Sequence, residues 1–226
     1  MTTTKQLSVA LALHVLTANT LAQQAGTWSV SVGTTRISPS VKSDNLASPA
    51  GVAAFPNAQV DINSNAQVTG AVNYMATDNI NMHVPLGLGF KHDITGAGAL
   101  AGVGKVAETR ALPITVLGQY RFFDANARFR PYVGAGLSYV KFYRERGSTL
   151  LTALTNPGGD PTGVSFESKL SPTLQFGAVF NINDKWFVEG SYTKTRLKTR
   201  GTLTTGHTID IGLDPSSLCL HLGYKF

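Results

Sequence analysis

The last nine residues, Leu218-Cys219-Leu220-His221-Leu222-Gly223-Tyr224-Lys225-Phe226, carry an apolar side chain at every second position. A β-strand turns successive side chains to opposite faces. Residues 218, 220, 222, 224 and 226 therefore share one face, and Cys219, His221, Gly223 and Lys225 the other. A soluble sandwich alternates in the same way, with one face dry and one wet. Whether this is a sandwich strand or a membrane stave depends on the rest of the chain.

The alternation recurs throughout. Trp28, Val30 and Val32 oppose Ser29, Ser31 and Gly33, and a Ser-, Pro-, Asn- and Ala-rich stretch at about 38–65 reads as a long loop. In 66–75, Val68, Val72 and Tyr74 oppose Gln67, Thr69 and Asn73; a tight turn follows at 76–79. The third strand sets Ile80, Met82, Val84, Leu86, Leu88 and Phe90 outward and Asn81, His83, Pro85, Gly87, Gly89 and Lys91 inward. Residues 93–109 read as a Gly-rich loop. Leu112, Ile114, Val116, Tyr120 and Phe122 then oppose Thr115, Gln119 and Arg121, and after a turn at 124–127 Phe129, Val133, Ala135, Leu137 and Tyr139 oppose Tyr132, Gly134, Gly136 and Ser138. A third loop, about 144–170, holds a short helix capped by Ser148. Leu174, Phe176, Ala178 and Phe180 face out from the sixth strand, a turn spans 181–185, and Trp186, Val188 and Tyr192 face out from the seventh. A brief link at 201–206 precedes the last strand. There Ile209, Ile211 and Leu213 are odd and the apolar residues from Leu218 on are even, so a bulge or kink is expected within 214–217.

Eight strands result, with three short turns alternating with four connections, three of them long. The inward set contains Gln, Asn, Lys and Glu, which a dry sandwich core would strand without partners. An eight-stranded barrel lets them meet one another or water. Charged residues make up only 14% of the chain, below the quarter usual for soluble domains. No apolar run is long enough for a helical span, yet mean hydropathy near zero is compatible with a barrel, whose apolar positions are diluted one to one. Lys5, the apolar run 7–16 and the small residues ending at Ala22 read as a secretory signal peptide, 1–22, leaving 23–226 as one domain. The expected fold is therefore an all-β, eight-stranded antiparallel transmembrane β-barrel with short periplasmic turns and longer extracellular loops. Its last strand should close against the Trp28 strand, the one free edge remaining.

Several segments resemble the OmpW family of outer-membrane proteins, which includes alkane-uptake barrels. They are Pro56-Asn57-Ala58, 74–79 (Tyr-Met-Ala-Thr-Asp-Asn), Leu112-Pro113, 130–136 (Arg-Pro-Tyr-Val-Gly-Ala-Gly), 183–186 (Asn-Asp-Lys-Trp), Leu213-Asp214-Pro215 and 223–226. The resemblance runs over nearly the whole mature chain and implies passive uptake of small hydrophobic molecules across the outer membrane of a Gram-negative cell. The family pattern leads one to expect an aromatic residue after Asp214-Pro215, where Ser216 and Ser217 stand. The closing residues also resemble the C-terminal signal read by barrel-assembly machinery, an expected partner. A second function class stays open: a non-conducting barrel whose loops serve adhesion, receptor or envelope-stability roles.

An apolar solute needs an apolar outer pocket and a sideways exit, and proline opens a ladder because it lacks an N–H. Pro85 and Pro215 are the candidate breaks, with Pro113, Pro131 and Pro172 near strand ends. Leu46, Phe55, Leu117 and Phe142 are the candidate pocket residues. Lys194, Arg196, Lys198 and Arg200 share the parity of Trp186 and Tyr192 and point outward, a candidate contact for outer-membrane lipid and lipopolysaccharide phosphates; the formal charge is +6, or +5 without Lys5. Catalysis is not expected: His207 and Asp210 near the outer rim lack a nucleophile. No cofactor or metal is expected either. The five histidines lack paired spacing, His83 and His221 read as satisfied lumen groups, and Cys219 is the only cysteine. Gly134-Ala135-Gly136 lies within a strand and is no nucleotide loop, and nucleic acid is not an expected partner.

Overall fold

The computed structural model describes residues 23–52 and 55–226; the expected signal peptide at 1–22 lies outside them. In chain order the elements are β1 (Trp28–Ser38), β2 (Lys42–Ser43), β3 (Ala58–Ile62), β4 (Asn65–Met75), β5 (Ile80–Leu86), β6 (Phe90–Gly98) and β7 (Lys105–Arg121). They continue with β8 (Phe129–Gly147), α1 (Thr149–Thr155), β9 (Val164–Phe166), β10 (Lys169–Asn181), β11 (Trp186–Thr195), β12 (Lys198–Leu203), β13 (Thr208–Gly212) and β14 (Ser216–Lys225). Antiparallel pairing runs β1-β4-β5-β7-β8-β10-β11-β14 and returns to β1, from Ser29 opposite Lys225 to Ser38 opposite Ser216. Eight staves close on themselves, so no strand is left with a free edge.

Around the lower barrel the alternation is as the sequence suggests. Trp28, Val32, Val68, Met82, Val116, Phe176 and Leu220 are exposed on the outside, whereas Ser31, Asn73, Gln119, Gln175 and His221 are buried inside. Such a continuous apolar exterior is tolerable only in lipid. Rings pack together along the turn end, Trp28 tilted against Tyr74 at 4.8 Å and Trp186 edge-to-face with Tyr224 at 5.0 Å, as in an interfacial belt. Gly223 is required where it stands: a Cβ there would fall 2.0 Å from the ring of Phe187, which fills the lumen beside it.

The outer end obeys the opposite rule. β8 has 19 residues, where a tilted membrane strand needs about 9–11, so much of it stands clear of the bilayer. The segment 93–109, expected as a loop, is mostly the β6–β7 hairpin, and the link at 201–206 is the turn end of the β12–β13 hairpin. The loop at 38–65 likewise contributes β2 and β3. Here the inward residues are apolar: Val140, Phe142, Leu197, Ile209, Ile211 and Leu213 form one cluster, and Ile94, Val106, Ala107, Leu151 and Leu203 another. Lys91, Arg146, Lys198 and Asp210 face out. Water, not lipid, lies outside at this height, so the dry face becomes the inner one.

Two expectations are corrected here, the first by this inversion. Ile209, Ile211 and Leu213 point inward, on the same odd parity as Cys219 and His221, so no side is exchanged across 214–217. The strand does break at Leu213-Asp214-Pro215, with Asp214 at φ +31°. Phe90, expected outward, is buried inside, and Lys91, expected inward, is exposed. The helix forms where expected, Ser148 Oγ accepting from Leu151 N at 3.2 Å.

Candidate functional site

The stave made of β5 and β6 pairs with β7 in two separate stretches. Below, the ladder runs from Ile80–Tyr120 to His83–Leu117; above, it resumes at Phe90–Ala111. Six residues, 84–89, thus face five, 112–116, with no ladder pair between them. Pro85 lies on one side of the gap and Pro113 on the other, each lacking a donor. The extra residue is also what turns Phe90 to the inside.

The far side of that stave is held. β4 pairs with β5 from Gly70–Leu86 downward, and above this Gln67 Nε2 donates to Leu88 O at 2.5 Å. At the upper rim side chains replace the ladder: Gly89 N donates to the Tyr143 hydroxyl at 3.2 Å and Arg110 Nη1 to Gly89 O at 3.3 Å. A side chain on Gly89 would collide with the Tyr143 ring, 2.3 Å from the hydroxyl.

Behind the gap lies a cavity of about 150 Å³. Leu117, Phe90, Ala111, Val140, Phe142 and Leu197 line its inner wall, and Pro85, Leu86, Leu88, Leu112 and Pro113 its side toward the gap. That volume is enough for a molecule of about benzene's size, with apolar side chains on the walls and polar ones at the base. On the base side the hydroxyls of Thr115, Ser138, Thr173 and Thr195 form a chain of contacts at 2.7, 2.7 and 2.9 Å and so satisfy one another. His221 joins Ser31 at 3.2 Å and Thr69 at 2.9 Å.

Below the cavity the lumen is plugged. Gln119 Nε2 donates to Gln175 Oε1 at 2.7 Å, His83 Nδ1 pairs with Asn73 Oδ1 at 2.7 Å, and the Tyr132 hydroxyl donates to Glu189 at 2.5 Å. At the turn end the fully buried Arg130 guanidinium donates to five carbonyls, those of Gln23, Asp78, Arg121, Phe122 and Phe123, at 2.6–3.4 Å. Sequence reading passed over this plug, although the inward parity of Arg130 beside a short turn was the available signal.

The sequence-derived residues separate clearly. Leu117 and Phe142 line the cavity, and Pro85 borders the gap. Leu46 instead packs against the two outer apolar clusters, and Phe55 stacks on His207 at 5.6 Å; neither lines the cavity. Pro215 touches the cavity, but its stretch stays stitched: Thr195 N donates to Pro215 O at 3.1 Å and Leu213 N to Leu197 O at 2.8 Å. Arg196, Lys198 and Arg200 are exposed on the outer face. Lys194 donates to Asp214 O, and Arg200 makes two 2.7 Å bonds to Asp210, holding that carboxyl below its usual range. His207 meets the Thr205 hydroxyl at 2.8 Å.

A profile of the OmpW family matches residues 24–226. The chain belongs to the OmpW family. Outer membrane protein W of Vibrio cholerae is 32% identical over 212 residues, covering 91% of each chain. Outer membrane protein AlkL of Ectopseudomonas oleovorans is 26% identical over 179 residues, 78% of this chain and 73% of AlkL. Among solved structures, the outer membrane protein OprG from Pseudomonas aeruginosa superposes with a TM-score of 0.79 over 91% of this chain and 99% of that one, at 20% identity. That likeness is one of fold. This OmpW-family chain is accordingly an eight-stranded outer-membrane barrel, with the cavity, side gap and basal plug as the features that bear on its function.

Proposed function

We propose that this barrel passes small apolar molecules from the cell exterior into the hydrocarbon of the outer membrane. The observation that carries the reading is the unpaired stretch between 84–89 and 112–116, where an apolar cavity meets the barrel wall at Pro85, Leu86, Leu88, Leu112 and Pro113. A solute held there has polar groups below it and lipid beside it. The whole passage from water to hydrocarbon is favoured by roughly 25 cal/mol for each Å² of apolar surface, and a sideways exit completes it without a return to water. The Arg130 plug and the side-chain network above it argue against release straight through to the periplasm. Eight strands leave too little lumen for a continuous water channel.

The test is liposome uptake of an apolar fluorescent probe. Influx well above that of empty liposomes supports the proposal. Influx no greater than theirs overturns it and leaves the non-conducting adhesion or receptor barrel. The outward row of Lys194, Arg196, Lys198 and Arg200 is proposed to touch lipopolysaccharide phosphates, with Arg196 and Lys198 the least engaged within the chain. Lys194→Gln with Arg196→Gln is expected to lower lipopolysaccharide co-purification while barrel insertion persists; unchanged co-purification removes the contact. Insertion itself is proposed to depend on barrel-assembly machinery that reads the Tyr224–Phe226 end.

A further inference from the structure

A basic recess lies on the outer surface of the extracellular extension, directly above the side gap. Lys91, Glu108, Arg110, Arg144 and Arg146, with Thr109, enclose about 160 Å³. Four cations stand there against one carboxylate. That carboxylate is already taken: Glu108 contacts Lys105 at 2.5 Å and Lys91 at 3.0 Å, which hold it down at about 2. Lys105 also pairs with Asp93 at 2.7 Å. Among the described residues Arg144 and Arg146 have no carboxylate partner, and Arg110 has only its 3.3 Å bond to Gly89 O.

The chain is distorted to put two of these arginines there. β7 and β8 pair Arg110 with Tyr143 and Glu108 with Arg146, so β8 carries one residue more than β7 between the two pairs. Strict alternation from Lys141 and Tyr143 would send Arg144 into the barrel. Instead Arg144 is exposed, at φ +54°, a left-handed conformation that a residue with a Cβ adopts at a cost. A bulge of this kind re-aims a side chain. Here it turns both Arg144 and Arg146 outward, adding two guanidinium groups to that of Arg110. The height is also informative. Arg110 is two residues above outward-facing Leu112 and Lys91 three above Leu88, within on the order of 10 Å of the top of the apolar band.

We propose that this recess binds a phosphate monoester of an outer-leaflet glycolipid, seating one lipopolysaccharide molecule over the side gap. Guanidinium groups match phosphate oxygens in pairs, and three without acid partners form a preferred seat for a dianion. The site is independent of the transport reading and differs in place from the row on β11 and β12.

The test uses the full-length mature barrel in phosphatidylcholine nanodiscs, offered intact lipid A or the same lipid stripped of its phosphates, with adducts read by native mass spectrometry. Intact lipid A is expected as a one-to-one adduct, preferred roughly tenfold or more over the stripped lipid. Arg144→Gln with Arg146→Gln should erase that preference. Arg128→Gln with Lys185→Gln, an equal charge change at the opposite end, should keep it. Arg144→Gly separates binding from folding: it relieves the left-handed backbone, so thermal stability should hold or rise while the preference falls. A preference that survives both arginine changes, or none in the parent barrel, overturns the proposal. Displacement by inorganic phosphate at concentrations matching the lipid would assign the recess to free phosphate and overturn the lipid assignment. A requirement for large phosphate excess supports it.

Discussion

Phe90 faces Ala111 across the β6–β7 ladder, one residue out of step with His83 opposite Leu117 below it. That single surplus residue does two things. It opens the wall between 84–89 and 112–116, and it rotates the upper stave so that an aromatic ring lines the cavity instead of meeting lipid.

Removing the surplus should close the wall. Deletion of Gly87 together with Pro85→Val leaves five residues against five and restores one of the two missing donors. Influx of an apolar probe into liposomes should fall to the level of empty vesicles, while the barrel still shows the heat-dependent gel shift of a folded stave ring. Undiminished influx through such a zipped barrel would remove the sideways route.

Arg130 closes the turn end by donating to carbonyls contributed by three separate segments. Arg130→Ala takes the donor from the carbonyls of Gln23, Asp78 and Phe122, while those of Arg121 and Phe123 keep Asn79 Nδ2, and should cost several kcal/mol, since bonds to a charged group contribute about 1.5–3 kcal/mol each before relaxation. Ion conductance in planar bilayers should rise above the parent's. Arg130→Lys, a single charge without the planar fork, should fall between the two. Equal conductance in all three would assign the seal to the network above.

Phe142 packs with Val140 and Leu197 and lies 5.7 Å from the Phe166 ring, in the watery part of the structure where ordinary core energetics hold. Phe142→Ala should destabilise the outer extension by about 3–5 kcal/mol, seen as early loss of protection in hydrogen exchange of β8 and β9. The enlarged cavity should shift uptake toward bulkier apolar probes. A preference that does not move would place the solute elsewhere.

Glu108 ties β7 to Lys91 on β6 and to Lys105 on its own strand, and these lysines lower its carboxyl from 4.5 to about 2. Its folded value lies below its unfolded one, so its stabilising contribution is present above 4.5 and is lost as pH falls toward 2. Glu108→Gln should therefore loosen the β6–β7 hairpin at neutral pH and change nothing near pH 2, as read from amide protection corrected for intrinsic exchange rate. A difference that persists at low pH would mean that packing, not charge, holds the hairpin.

Much of the barrel was legible because one physical rule covers its lower half. Trp28, Val30 and Val32, or Leu218 through Phe226, alternate because lipid lies on one side and a polar lumen on the other. The same alternation misled at Ile209, Ile211 and Leu213, and at Phe90 a surplus residue shifted its phase. Period 2 identifies two faces but not which of them is dry; above the bilayer the assignment reverses, and only the height of a residue tells which rule applies. For the same reason Leu117 and Phe142 could be picked out as inward apolar residues, whereas Leu46 and Phe55, chosen from a loop without periodicity, sit elsewhere.

By itself the sequence determined the class of fold, the eight staves, their closure through β1 and β14, and the faces of the membrane zone. These follow from local alternation and from the demand that every backbone group in hydrocarbon be paired. Tertiary structure alone decided the gap, the cavity and the seal. A surplus residue exists only by comparison with the partner strand, a cavity only where side chains from several staves fall short of one another, and the Arg130 plug only where carbonyls from residues 23, 78 and 121–123 converge on one guanidinium.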